Sequence, residues 1–111
     1  MNGLLQELAD RIRGEVPDLE RLVQRTLRAW EQVERASDAQ TAYLDSVALN
    51  LHSFYSGIER LFELIARHVD RTVPSGGTWH RDLLQQMAHD VADVRPAVIG
   101  QMSVLTLDEF R

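Results

Sequence analysis

Between Ala39 and Arg71 the chain carries no proline and a single glycine, Gly57. Apolar residues recur there at three- and four-residue steps: Leu44, Val47, Leu51, Phe54, Ile58, Leu61, Ile65 and Val69. That is the period of one face of an α-helix, and a second row of Ala48, Tyr55, Phe62 and Ala66 widens it. A face so wide needs more than one neighbour to cover it. The segment predicts the central helix of a bundle, and an all-α fold follows from it. Nowhere does the chain show the period-2 alternation of a strand bounded by hairpin turns.

The flanking segments repeat the pattern. Leu5, Leu8, Ile12 and Val16 share a face, and after Pro17 the period resumes as Leu19, Val23, Leu27, Trp30 and Val33. Residues 1–36 are one kinked helix or two; Gly14 as a stop and Pro17 as a start favour a break. Ser37-Asp38 reads as a turn that caps the next helix. Val73-Pro74-Ser75-Gly76-Gly77-Thr78 reads as a loop. Trp79, Leu83, Met87 and Val91 mark a further helix, widened by Leu84 and Ala88, and Val94 to Gly100 reads as irregular because Pro96 disfavours helix at Arg95. Near the end, Thr106 and Glu109 have capping-box spacing, with Leu105 and Phe110 as a hydrophobic staple. They predict a helix starting near Thr106, of which only a few residues are present. The expectation is an antiparallel up-and-down helical bundle of four to five helices, one domain over residues 1–111, truncated in its last helix.

Composition narrows the function. The 111 residues include no cysteine, which excludes thiol catalysis, Cys-zinc sites and disulfides. Seventeen acidic against twelve basic residues give a net charge of −5, which argues against a surface adapted throughout to nucleic acid. All twelve basic residues are arginine, scattered as a GC-rich genome would scatter them. No apolar run approaches the ~18 residues of a membrane span, and the start lacks the basic region of a signal peptide, so the reading is cytoplasmic.

No catalytic constellation stands out. His52, His68, His80 and His89 have no i, i+4 pairing and no His-Glu-x-x-His, and no metal or cofactor is predicted. His52, beside the apolar stripe, is read as a core histidine. His68 and His89 are read as exposed, and His80 as a capping or loop-packing residue. Glu63 and Arg67 at i, i+4, with the row Arg60, Arg67, Arg71, are read as a salt-bridged surface. Trp30, Tyr43, Tyr55 and Trp79 are read as packing residues. Gly76-Gly77 lacks the spacing and the lysine of a phosphate loop.

The run Leu51-His52-Ser53-Phe54-Tyr55-Ser56-Gly57-Ile58-Glu59-Arg60, within Tyr43 to Ile65, resembles the long helix of a HepT-like domain of the HEPN group. So do Val73-Pro74-Ser75-Gly76 with Trp79 to Met87, and Val94 to Ile99 onward to Leu107-Asp108-Glu109-Phe110-Arg111. The resemblance covers Tyr43 to the end. It implies a bacterial toxin–antitoxin pair, in which a dimeric helical ribonuclease is partnered by a minimal nucleotidyltransferase antitoxin. In such proteins an Arg-x(4–6)-His motif from each subunit lines a shared cleft. It acts without metal, promoting attack of the RNA 2′-hydroxyl on the adjacent phosphate. Some family antitoxins add AMP to a tyrosine two residues beyond that histidine.

No arginine of this sequence is followed by histidine at the motif spacing. The motif belongs just after Asp108-Glu109-Phe110-Arg111, which makes Arg111 the candidate for its leading arginine; the histidine and tyrosine are not there. The 111 residues as written are therefore expected to lack ribonuclease activity. Two other readings stand beside a toxin that has lost its catalytic end: a non-catalytic module that binds a nucleotidyltransferase or another protein, and a helical interaction protein unrelated to toxins. Apolar surface left open by truncation predicts a homodimer or a looser oligomer.

Overall fold

A computed structural model describes residues 3–35 and 39–109. Its regular elements are helices: α1 (Gly3–Arg35), α2 (Gln40–Ile65), a π-helical segment (Ala66–Asp70), α3 (Trp79–Met87) and α4 (Gln101–Glu109). Among the described residues there is no strand, and an isolated antiparallel bridge joins Val91 to Arg95. The all-α expectation holds, with four α-helices. None of them is long and apolar enough to cross a membrane.

The chain forms two compact units, Asp10–Ile58 and Met1–Ala9 with Glu59–Arg111. The first consists of most of α1 and the front of α2. Across their connection the Gln40 side-chain amide donates to the Val33 carbonyl at 3.2 Å. Ser37 and Asp38, the expected turn and cap, lie outside the described residues.

The break favoured at Gly14–Pro17 does not occur, because α1 runs through both. Proline inside a helix removes one backbone hydrogen bond and crowds the carbonyl four residues back, at a cost of about 3 kcal/mol. What opposes that cost is a continuous seam. Leu8, Leu19, Ala29 and Val33 are buried, with Ile12, Glu15, Leu22 and Thr26 half-buried between them. Their spacing alternates four and three, as in a coiled-coil seam, and it keeps one register across Pro17. Gly14 is exposed with open space around its missing side chain. Gly14→Ala is therefore expected to stabilise the chain by about 1 kcal/mol, read as a higher urea midpoint at unchanged slope. The seam also corrects the expected face. Val16, Val23, Leu27 and Trp30 are exposed, not packed.

α2 covers most of the expected central helix, but its buried line is Tyr55 and Phe62, joined by Leu61 and continued by Ala66 of the π-helical segment, while Leu44 and Ala48 are exposed. Past Ile65 the helix widens into the π-helical segment, where backbone bonds reach one residue further. It is closed by Arg71, which takes a left-handed conformation (φ 63°, ψ 25°), and by Thr72 N–H donating to the Ala66 carbonyl at 3.0 Å.

In the second unit α3 packs on α4 and on the π-helical segment, around the fully buried Leu83, Leu84 and Met87. Two boundaries differ from expectation. α3 ends at Met87 and does not reach Val91, because the Met87 carbonyl accepts from Val98 N–H (2.8 Å) and Ile99 N–H (3.2 Å) instead. Val91 instead pairs with Arg95 across a tight turn in which Asp93 has φ 63°. α4 begins at Gln101, not near Thr106, and its first bonds go to the Gly100 carbonyl. Thr106 lies mid-helix, its hydroxyl donating to the Met102 carbonyl at 3.0 Å, so it does not cap. Of the expected staple, Leu105 is exposed, and Phe110 lies outside the described residues.

Candidate functional site

Chemistry-bearing side chains gather where the end of α2 meets the start of α3. Glu59 and Glu63 stand one turn apart on α2, and Trp79 and His80 open α3 after the Val73–Thr78 loop. Gly76 in that loop has φ 99°, a conformation that favours glycine. The loop residues Val73, Pro74, Ser75 and Gly76 line a shallow cavity of about 330 Å³ with Glu63 and Trp79. Beside it, His80 Nδ1 is hydrogen-bonded to the Glu59 carboxylate, and the imidazole stacks on the Trp79 indole with ring centroids 3.5 Å apart. The two side chains are 32% and 14% exposed, so the pair is reachable from solvent but held in place. A carboxylate on Nδ1 orients an imidazole and leaves Nε2 as the nitrogen that can exchange a proton. No arginine is bonded to the pair among the described residues. Of the two that adjoin it in sequence, Arg60 is exposed and Arg81 lies 3.5 Å from Asp108 across the α3–α4 contact.

A second cluster is structural. Arg95 reaches Asp70, at the end of the π-helical segment, by two parallel bonds, Nε to Oδ1 at 2.7 Å and Nη2 to Oδ2 at 2.6 Å. Its remaining N–H groups donate to the carbonyls of Gln86, His89 and Pro96. Gln86 Nε2 completes the cluster, donating to Asp70 Oδ2 at 2.7 Å and to the Thr72 carbonyl at 2.9 Å. The Arg95 and Asp70 side chains are only 8% and 4% exposed. Burial pushes the Asp70 carboxyl upward. The bonds from Arg95 and Gln86 and the guanidinium charge outweigh it and hold Asp70 below its ordinary value of 3.8. Arg95 thereby ties the 91–99 segment to the ends of α2 and α3, and it has no donor left for a phosphate.

The other expected residues are dispersed. Arg111, the candidate leading arginine, lies outside the described residues. His52 is exposed, so it is not the core histidine expected; the buried face of α2 runs through Tyr55, three residues on. His68 is half-buried rather than exposed, and His89 is exposed with Nδ1 2.6 Å from the Gln85 carbonyl. Arg60, Arg67 and Arg71 are all exposed. The expected Glu63–Arg67 pair is not among the ion pairs of the described residues, and Glu63 faces the cavity instead. Of the aromatic residues Tyr55 is buried, Tyr43 and Trp79 are half-buried, and Trp30 is exposed. Sequence reasoning missed both the Glu59–His80 pair and the Asp70–Arg95–Gln86 cluster. Their members stand 21 and 25 residues apart on different elements, and a helical period does not carry across the loop or the irregular segment between them. Among the described residues no group of three or more His, Asp or Glu could hold a metal ion.

Among the described residues the chain is all-α, with four α-helices. A family model described as HepT-like protein matches residues 46–111, more than half of the sequence. The chain belongs to the HepT-like family. Neither the curated proteins nor the solved structures gave a match.

Proposed function

We propose that this chain is the toxin component of a bacterial toxin–antitoxin pair, acting in the cytoplasm as a homodimer and held by a minimal nucleotidyltransferase antitoxin. The observation that carries the reading is the family match over residues 46–111. RNA is the substrate of forms that carry the Arg-x(4–6)-His motif. In those forms histidine moves the proton of the 2′-hydroxyl, and arginine offsets charge on the phosphate.

These 111 residues hold no such pair. Arg95 is fully engaged in the buried cluster and His80 has a carboxylate, not an arginine, as its partner. That favours a second reading, a non-catalytic module that uses the same scaffold to bind the nucleotidyltransferase.

Co-expression with the nucleotidyltransferase encoded beside the gene tests both. We expect a stable complex, and no RNA cleavage above background by the 111-residue chain in chelator-treated buffer. Appending Arg, His and Tyr at the family spacing after Arg111 should produce cleavage if the toxin reading holds. A complex without cleavage in any form would leave the binding module. No neighbouring nucleotidyltransferase and no complex would remove the toxin–antitoxin role.

A further inference from the structure

We propose that two copies of this chain pair antiparallel through the exposed apolar stripe of α1, with the two-fold axis at Val23. The proposal rests on the homodimer reading above and assigns it a surface. Val16, Val23, Leu27 and Trp30 are 38%, 39%, 52% and 48% exposed, although all four recur at helical spacing on one side of α1. They lie next to the buried seam of α1 and not on it, so the burial of that seam leaves them open.

The pattern of the stripe specifies its partner. Val16 and Trp30 stand equally far from Val23, two helical turns to either side, so reversing the helix about Val23 places Val16 opposite the partner's Trp30. Val16, Val23 and Trp30 thus map onto one another as a two-fold dimer requires, and Leu27 falls over the other copy's Leu19, which lies in the adjoining seam. The bordering charges choose the direction. At 100° per residue the exposed residues within about 70° of the stripe's centre include Arg13 at its N-terminal end and Glu31 and Glu34 at its C-terminal end. Antiparallel pairing sets each Arg13 against the other copy's Glu31 and Glu34. Parallel pairing would stack Arg13 on Arg13 and glutamate on glutamate, which costs where the antiparallel form gains. Glu20, about 50° from the stripe's centre, also lies inside this border; antiparallel pairing sets it opposite the other copy's Thr26, whereas parallel pairing would set glutamate on glutamate there as well.

The chain has no cysteine, so single introduced thiols report the register without background. A disulfide needs Cα atoms within about 7 Å. Val23→Cys is expected to form a disulfide-linked dimer on mild oxidation. Val16→Cys alone should not, since its symmetry mate lies about 21 Å along the helix, whereas mixing Val16→Cys with Trp30→Cys should give the heterodimeric link. Leu27→Glu, at an exposed position, should keep the helical circular dichroism and raise the dimer dissociation constant about a hundredfold, the scale of losing two buried leucines per dimer.

Cross-linking by Val16→Cys alone would overturn the antiparallel register. A dimer by light scattering that Leu27→Glu leaves intact and Val23→Cys does not link would overturn this surface while leaving the homodimer reading standing. A monomer at tens of micromolar would remove both. Protection of the stripe only on adding the nucleotidyltransferase would assign it to that partner and overturn the self-pairing.

Discussion

Replacing Arg95 by alanine is expected to destabilise the chain by about 3–5 kcal/mol, the cost of leaving a buried carboxylate without its partner. The substitution strands Asp70, 4% exposed, and removes the donors that the Gln86, His89 and Pro96 carbonyls use. Urea unfolding by circular dichroism measures the loss. Because the 91–99 segment hangs on this side chain, hydrogen exchange at Val98 and Ile99, whose amides donate to the Met87 carbonyl, should accelerate first. A loss under 1 kcal/mol would mean that the pair is not buried as described.

The same cluster makes stability depend on acid. The folded carboxyl of Asp70 titrates below its ordinary value of 3.8, so the ionised form binds the fold more tightly than the protonated form. This contribution is present in full above the unfolded value and is lost as pH falls below it and through the folded value. Asp70→Asn should therefore be less stable than the parent chain at pH 7, with the gap narrowing below about pH 4. A gap that stays constant between pH 7 and pH 3 would show that another group carries the acid sensitivity.

The second large effect has the opposite sign. Pro17→Ala is expected to stabilise the chain by up to about 3 kcal/mol, because Pro17 stands inside α1 with helix on both sides. Alanine restores the missing backbone donor in a position that is exposed and has no packing to lose. The experiment also tests the architecture. Were the chain broken at Gly14, Pro17 would occupy the first turn of a new helix, where proline is favoured and its removal gains nothing. A raised urea midpoint supports one continuous helix, and an unchanged or lowered midpoint supports two.

The disagreement over Pro17 has a physical reason. Gly14 and Pro17 are local signals, worth about 1 and 3 kcal/mol, and locally they favour a break. The seam from Leu8 to Val33 is a sum over many residues whose register is kept across the proline, and only burial shows which of the apolar rows is the seam. Val16 and Leu19 are both apolar, yet Leu19 is buried and Val16 is not. Thr106 is a similar case. Its spacing to Glu109 fits a cap, but a hydroxyl in helical backbone is as well satisfied by the carbonyl four residues back, and Gly100 starts the helix earlier.

What the order of residues determined by itself is the all-α class, a long helix over most of residues 39–71, the Val73–Thr78 loop and the family resemblance carried by Leu51 to Arg60 and Trp79 to Met87. Each of these is written in local composition or in a period that repeats over several turns. Tertiary structure alone decided where α3 stops, that Glu59 meets His80, and that Arg95 is spent on Asp70 and three carbonyls. Those outcomes depend on which distant donors compete for a given acceptor. The Met87 carbonyl could serve Val91 within a helix, and it serves Val98 and Ile99 only because Arg95 brings that segment back to the end of α3.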